Sequence, residues 1–147
     1  MGADARDYDP DNPFAKILRG EARSHIVHED DHCMAFMDLM PQTPGHTLII
    51  PRTPAAEIFE LPAGDLAQVM MLTQRIAKAV RQVFDPPGLM IVQLNGALAG
   101  QTVFHLHFHV IPRFKGLDMK LHARVVEHAD VLDGHAERLR EAMMQIP

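Results

Sequence analysis

Runs of apolar residues, some continuous and some alternating with polar residues, predict five β-strands along the chain. Two of them flank an acidic turn at 29–32, and a third follows a loop marked by Pro44 and Gly45. In the last strand, histidines occupy every second position of an otherwise apolar run. The predicted strands span residues 25–29, 33–38, 46–51, 89–94 and 103–111.

Helical periodicity predicts one long helix and two shorter ones. Apolar positions over residues 62–84 recur about every 3.6 residues, and a Pro-Pro-Gly sequence ends the pattern. Met70 and Met71 fall within this pattern, so we expect them to pack in the core. A short first helix ends at Gly20, and a last helix begins near Asp133.

These elements predict an α+β fold with one antiparallel sheet and packed helices. The last two strands are joined by a short loop, which favours antiparallel pairing. A chain of 147 residues suits one domain. We expect a flexible leader at 1–11, a main domain at 12–115 and a C-terminal extension with a helix at 116–147.

Composition narrows the possible partners and compartments. A formal charge of −5 lacks the basic excess of nucleic-acid-binding proteins. The acidic N-terminal stretch is not a signal peptide, and no apolar run is long enough to span a membrane. The single cysteine, Cys33, forms no intramolecular disulfide, which suits a reducing compartment. We expect a cytoplasmic protein that binds neither nucleic acid nor membranes.

The row of His105, His107 and His109 carries most of the functional information. In a strand, the three imidazoles point to one face and the apolar residues between them to the other. Such a row can bind an anion, bind a metal, or supply a nucleophile with acid–base helpers. The outer two histidines lie about 7 Å apart by strand rise, which strains a zinc site and better matches a phosphate with its leaving group.

Two nearby segments contain further candidate ligand-binding residues. The small-residue loop before the histidine row offers Asn95, Gln101 and Thr102 as hydrogen-bond donors for phosphate oxygens. Asp38 ends an apolar strand, where its carboxylate either holds vicinal ribose hydroxyls or forms a turn. His46 opens a buried strand, where a structural role is the alternative to a catalytic one.

Three sequence blocks are similar to motifs of one family. The pattern His-apolar-His-apolar-His-apolar-apolar occupies residues 105–111. Pro-Gly-His-Thr-Leu-Ile-Ile-Pro occupies residues 44–51, and Ala-Gly-Gln-Thr-Val occupies residues 99–103. Together they resemble the histidine triad (HIT) superfamily of nucleotide hydrolases and transferases, and the resemblance extends over residues 12–115.

The resemblance implies an α+β homodimer whose two sheets join into one extended sheet, and a purine nucleotide or nucleotide conjugate as ligand. It implies that His107 attacks the α-phosphorus, giving a nucleotidyl-histidine that water hydrolyses to the nucleoside monophosphate. His109 matches the histidine that contacts phosphate and leaving group, while His105 and His46 match those that orient the nucleophile. The other matched positions are Asp38 at the ribose, Phe14, Ile17 and Leu39 at the base, and Asn95, Gln101 and Thr102 at the phosphates.

The chain also departs from the family pattern. Many bacterial members carry Cys-x-x-Cys near the first helix as part of a zinc site, whereas residues 12–15 read Asn-Pro-Phe-Ala. We therefore expect no metal and no cofactor. The strand exit at 110–114 is closer to dinucleoside polyphosphate hydrolases than to phosphoramidases, and a substrate from one of these two classes is expected. A non-catalytic nucleotide-binding scaffold protein and a metal-binding histidine cluster are the alternatives.

Overall fold

The computed structural model of the protein describes residues 7–117 and 125–147. Over these residues the chain forms a five-stranded antiparallel sheet with helices against it, which confirms the predicted α+β class. Two short 3-10 helices, Ile58–Glu60 and Ala97–Ala99, lie in the connections. The main elements are α1 (Pro13–Leu18), β1 (Ile26–Glu29), β2 (Cys33–Met37), β3 (Thr47–Pro51), α2 (Ala63–Phe84), β4 (Gly88–Gln93), β5 (Phe108–Arg113) and α3 (Ala129–Met143).

The strands are arranged in the order β1-β2-β3-β5-β4, and every neighbouring pair is antiparallel. The predicted antiparallel pairing of the last two strands is therefore confirmed. Strand β5 lies between β3 and β4, so His109 faces Leu48 on one side and Val92 on the other. The last histidine of the row therefore lies in a strand that is hydrogen bonded to another strand on each side.

Alternation along the strands divides the buried residues into two sets. On one face Ala35, Ile49 and Val110 pack in the main core with residues of α2 and α3 such as Ile76 and Leu139. The other face carries a smaller cluster that packs against α1. Its members are Met34, Phe36, Leu48 and Ile50 of the sheet, with Phe14, Ile17, Leu18 and Ile26 around them.

The last strand differs from its predicted bounds of 103–111. It begins at Phe108 and ends at Arg113, so His105 and His107 precede it. The backbone N–H of Leu106 donates instead to the carbonyl of Ala55, at 2.7 Å, outside the sheet ladder. The predicted strand therefore starts too early. The segment before Phe108 alternates like a strand, but it is hydrogen bonded to a loop and not to the sheet.

Two expectations about the helices are also corrected. Helix α3 begins at Ala129, one turn before Asp133, because Leu132 is already buried in the core. Met70 and Met71 are 40% and 53% exposed, since other residues of α2 occupy its core-facing side. None of the helices among the described residues has the length and apolarity needed to cross a membrane.

The predicted domain boundaries stay predictions, but residues on both sides of the main domain contact it. The hydroxyl of Tyr8 lies 2.7 Å from Nδ1 of His105. The backbone N–H of Glu127 donates to the carbonyl of Leu39 at 2.9 Å. The described part of the expected leader and the C-terminal extension therefore both lie against the domain that holds the histidine row.

Candidate active site

A cavity of about 490 Å³ opens on the α1 side of the sheet. Its floor includes a row of cross-strand neighbours, one from each of four strands: Phe36, Leu48, His109 and Val92. The register of the sheet thus places an imidazole in the middle of an apolar floor. The predicted site residues that line the cavity are Phe14, Ile17, Asp38, Leu39, His46, Thr102, His107 and His109.

His107 lies at this cavity with one ring nitrogen already engaged. Its Nδ1 is 2.7 Å from the carbonyl oxygen of His105. Because a carbonyl only accepts, Nδ1 must carry the proton, and the neutral ring has its lone pair on Nε2. The ring also makes edge contacts with Phe14 and His109, each at a centroid distance of 4.9 Å. His107 therefore has a fixed orientation and an unprotonated Nε2.

His46 and His109 form a second hydrogen-bonded unit. The backbone N–H of Gln42 donates to Nδ1 of His46 at 3.0 Å, so the neutral His46 ring carries its proton on Nε2. That nitrogen lies 2.9 Å from Nδ1 of His109 and donates to it. The proton of neutral His109 is consequently on Nε2. Since His109 lines the cavity, it can offer this N–H to a ligand.

Gly45 makes the position of His46 possible. Its φ is +92°, in the region that favours glycine, and a Cβ there would lie 2.9 Å from the ring of Phe84. The loop before β3 therefore packs directly on the end of α2. The Pro-Gly-His sequence at 44–46 is explained by this close approach.

His105 does not share the cavity with the other two histidines, contrary to the expectation of three imidazoles on one open face. Its ring is fully buried. Nε2 donates to the carbonyl of Pro51 at 2.8 Å, so Nδ1 is unprotonated. Nδ1 therefore accepts a hydrogen bond from the hydroxyl of Tyr8 at 2.7 Å. Tyr8 was not among the predicted site residues, because it is far from His105 in sequence and follows no motif.

Gln101 and Asn95 also differ from expectation, because their carboxamides are used within the protein. The Gln101 side chain donates to the carbonyls of Ala56 and Val103 and accepts from the N–H of Gly96. Asn95 exchanges two hydrogen bonds with the Gln93 side chain and accepts from the backbone N–H of residue 58. Neither is among the residues that line the cavity. Both side chains therefore stabilise the loop before the histidine row. Of the three predicted phosphate-binding residues in this loop, Thr102 lines the cavity.

Burial keeps the histidines of the site neutral. It lowers the pKa of His46 and His105 to about 4 and that of His109 to about 3, and it also lowers the pKa of His107. The neighbouring imidazoles add to the effect at His46, His105 and His109, because a second positive charge there is unfavourable. The hydrogen-bond directions derived above for neutral rings therefore hold near pH 7.

Asp38 lies beside His46 at the edge of the cavity. One carboxylate oxygen accepts the N–H of Met40 at 2.9 Å, and the other is 3.5 Å from Nε2 of His46. Burial raises the pKa of Asp38 to about 6, although the Met40 hydrogen bond opposes the shift. At pH 7 the second oxygen is an acceptor that a ligand hydroxyl can reach from the cavity.

Asp38, His46 and His109 also bring three potential metal-ligand atoms within 4.8 Å of one another. The N–H of Gln42 argues against their use by a metal, because it requires an acceptor at Nδ1 of His46 and so leaves the proton on Nε2. A metal at Nε2 would need either the opposite tautomer or an imidazolate. The hydrogen bonding of this group favours a proton between the two histidines over a metal ion.

Comparison with known proteins gives consistent matches. The HIT domain family model matches residues 19–116. "Protein hit" of Bacillus subtilis is 43% identical over 101 residues, which cover 69% of this chain and 70% of that protein. A Hit-like protein involved in cell-cycle regulation from Bartonella henselae is 41% identical in sequence. Its crystal structure matches this one with a TM-score of 0.87, and the match covers 93% of this chain and 99% of that chain. A hypothetical histidine triad nucleotide-binding protein from Sulfolobus tokodaii is 26% identical, with a TM-score of 0.82 and coverage of 90% and 91%.

Proposed function

Because the chain belongs to the HIT domain family, we propose that it is a nucleotide hydrolase or transferase that acts at the α-phosphate of purine nucleotide conjugates. The observation that carries the proposal is the state of His107. Its Nδ1–H is bound to the His105 carbonyl, which leaves the Nε2 lone pair at a cavity of nucleotide size. A protein that only binds nucleotides has no need of a nucleophile held in this way.

The reaction begins when the Nε2 lone pair of His107 attacks the α-phosphorus. A P–N bond forms, the bond to the leaving group breaks, and the leaving group keeps the bonding electron pair. A phosphate-type leaving group departs as an anion that accepts a hydrogen bond from Nε2–H of His109. An amine leaves after its nitrogen takes the Nε2 proton of a His109 ring that has first gained a second proton from solvent, so that His109 ends neutral. The carbonyl of His105 stabilises the positive charge on the modified His107 ring through its Nδ1–H.

Water completes the reaction. It attacks the same phosphorus, the P–N bond breaks, and the electron pair returns to Nε2 of His107. The proton of the water passes to the solvent, because His109 is neutral after either kind of leaving group has departed. The products are the nucleoside monophosphate and the free enzyme, and no metal takes part in either step.

The nucleotide lies across the cavity in this proposal. The free carboxylate oxygen of Asp38 accepts a ribose hydroxyl. Phe14 and Ile17 of α1, together with Leu39, form the wall against which the base packs. Thr102 is exposed at the cavity and contacts the phosphates. The ribose contact is distant from the reacting phosphorus, so it contributes to binding more than to chemistry.

The charge of the cavity favours one of the two expected substrate classes. Among the described residues that line it there is no lysine or arginine, and its histidines are neutral. A dinucleoside polyphosphate brings several negative charges into this environment, whereas a nucleoside phosphoramidate brings one. We therefore place phosphoramidates first, although the residues at the strand exit resemble polyphosphate hydrolases.

We also propose that the protein is a homodimer, in the cytoplasm, with β4 at the dimer interface. Strand β4 is an edge strand of the sheet, and its Ile91 is 47% exposed. An apolar edge strand of this kind exposes unpaired backbone groups and invites pairing with a second strand. The exposed Met70 and Met71 of α2 add apolar surface that a partner subunit would cover.

A substrate panel with trapping of the covalent intermediate tests the proposed activity. Adenosine and guanosine phosphoramidates and dinucleoside polyphosphates are incubated with the protein, and the reactions are quenched in alkaline denaturant, where P–N bonds survive. Turnover with a nucleotidyl group on His107 in the mass spectrum is the expected result. Tight nucleotide binding without turnover or adduct would instead support the scaffold alternative.

A further inference from the structure

Tyr8 is hydrogen bonded to the first histidine of the row, from a segment that neither the motifs nor the family match includes. Its hydroxyl lies 2.7 Å from Nδ1 of His105, and the two rings meet edge to face at a centroid distance of 5.6 Å. The family match begins at residue 19. Tyr8 is also the only tyrosine in the sequence.

The hydroxyl completes a chain of contacts that ends at the proposed nucleophile. The ring of His105 is held at Nε2 by the Pro51 carbonyl and at Nδ1 by Tyr8. The main-chain carbonyl of the same residue accepts the Nδ1–H of His107. The His105 ring is fully buried and both of its nitrogens are hydrogen bonded, so the ring cannot rotate. The fixed ring in turn restrains the backbone of His105, including its carbonyl.

The described residues that follow Tyr8 hold it in place through a set of hydrogen bonds. The backbone carbonyl of Asp9 accepts two hydrogen bonds from Asn12, one from its backbone N–H and one from its side chain. The Asn12 side-chain oxygen in turn accepts the N–H groups of Phe14 and Ala15 at the start of α1. The ring of Phe14 touches His107 directly. One continuous segment therefore contacts both His105 and His107.

We propose that Tyr8 is a positioning residue for the nucleotidyl-transfer reaction: its hydroxyl holds His105, and the carbonyl of His105 in turn aligns His107. This inference rests on the proposed function. Tyr8 is not among the described residues that line the cavity, so we assign it no direct contact with the nucleotide. Its contribution therefore belongs to the rate of the covalent step and not to ground-state binding.

The test compares Tyr8→Phe with the unmodified full-length protein. Phenylalanine keeps the ring contact and removes only the hydroxyl, so we expect kcat to fall about fivefold, as for one lost hydrogen bond, with KM nearly unchanged. Single-turnover measurements should show slower formation of the nucleotidyl-enzyme with an unchanged burst amplitude. A variant that merely contained less folded protein would lose amplitude and keep its rate constant.

Asp9→Ala is the matched control. It removes an exposed side chain that accepts the N–H of Asp11, but it keeps the Asp9 carbonyl that accepts from Asn12 and leaves the Tyr8 hydroxyl in place. We expect this variant to keep the kcat of the unmodified protein. An equal loss of kcat in Asp9→Ala and Tyr8→Phe would overturn the inference, because order of the segment alone would then explain both.

Nuclear magnetic resonance of the histidine ring nitrogens gives a readout that needs no turnover. In the unmodified protein Nδ1 of His105 should be unprotonated and hydrogen bonded, and the Nδ1–H of His107 should give a downfield proton. Tyr8→Phe should shift both signals, and Asp9→Ala neither. Unmoved signals, or an unchanged kcat in an active Tyr8→Phe enzyme, would refute the role of Tyr8. Lack of turnover by the unmodified protein would refute the proposed function itself, and with it any role of Tyr8 in that reaction.

Discussion

The Nδ1 atom of His107 lies 2.7 Å from the carbonyl oxygen of His105, two residues earlier in the chain. The proposed nucleophile is thus oriented by the backbone of its own segment, and no acidic side chain is needed to set its tautomer. The neighbouring imidazoles are then available for other tasks. His109 offers an N–H to the cavity, and His46 fixes which nitrogen of His109 carries it.

Replacement of the proposed nucleophile gives the first prediction. His107→Ala should reduce turnover to the limit of detection and abolish the nucleotidyl adduct, because the unprotonated nitrogens of His46 and His109 are already occupied as hydrogen-bond acceptors. The fold should persist, since the main core lies on the opposite face of the sheet. Steady-state kinetics and circular dichroism measure the two effects. Near-normal activity in this variant, or an adduct on His109, would contradict the mechanism.

The raised pKa of Asp38 predicts a pH dependence of substrate binding. Because this pKa is about 6, kcat/KM should fall as the pH drops through 6, where the carboxylate gains a proton and loses an acceptor for the ribose. Asp38→Asn should raise KM more than it lowers kcat, and its profile should be flat near pH 6. A profile that keeps the same inflection in Asp38→Asn would assign that titration to another group.

The role of His109 predicts a dependence on the leaving group. His109→Ala should slow release of an amine by about 100-fold or more, because the amine needs a proton. Release of a phosphate-type leaving group should slow less, since it departs as an anion. Paired kinetics on a phosphoramidate and a dinucleoside polyphosphate of the same nucleoside measure the difference. Equal losses on both substrates would remove His109 from the role of acid.

Buried neutral histidines predict acid lability of the fold. The folded-state pKa values of His46, His105, His107 and His109 are all lowered from 6.5, so their contribution to stability is complete above pH 6.5 and is lost as the pH falls towards 4. Asp38 has the opposite sign, because its raised pKa favours the protonated folded state between pH 3.8 and 6.

The four histidines outweigh this single carboxyl group, so the free energy of unfolding should fall as the pH is lowered from 7 to 5. Each net proton taken up on unfolding contributes a slope of about 1.4 kcal/mol per pH unit. Urea titrations at several pH values measure the slope, and Asp38→Asn should make it steeper. A pH-independent stability over this range would show that the rings are already charged in the folded protein.

Because β4 is an exposed edge strand, a charge placed on it should disrupt the proposed dimer. Ile91→Glu places a charge at the proposed interface and should shift the protein to a monomer at micromolar concentration, as measured by sedimentation velocity. The matched control is Val126→Glu, which changes a 66% exposed residue outside the sheet and helices. Dissociation by both variants, or a monomeric unmodified protein, would contradict the proposed interface.

The sequence predicted the parts of the site that depend on local periodicity. Apolar runs place Asp38 just after β2, His46 just before β3 and His109 within β5, and sheet register then brings these three residues together. The same reasoning misplaced His105, because a period of two does not distinguish a strand from an extended segment bonded to a loop. The long helix was predicted within one residue, whereas the exposure of Met71 depends on which face its neighbours cover.

The interactions that could not be predicted join residues distant in the chain. Gln101 is an obvious donor in the sequence, yet its carboxamide is bonded to Ala56 and to its own loop. Tyr8 and His105 are 97 residues apart, and no motif relates them. Hydrogen bonds of this kind become visible only when the three-dimensional arrangement of distant segments is known.

The insertion of β5 between β3 and β4 has a consequence for how the protein folds. His46 and His109 are 63 residues apart, so their contact closes a long loop and depends on non-local pairing, which is slow to form. Local structures such as α2 and the turn between β1 and β2 can form earlier without bringing together the residues of the proposed active site. In a refolding experiment, enzyme activity should therefore return with the last kinetic phase, after most of the helical signal.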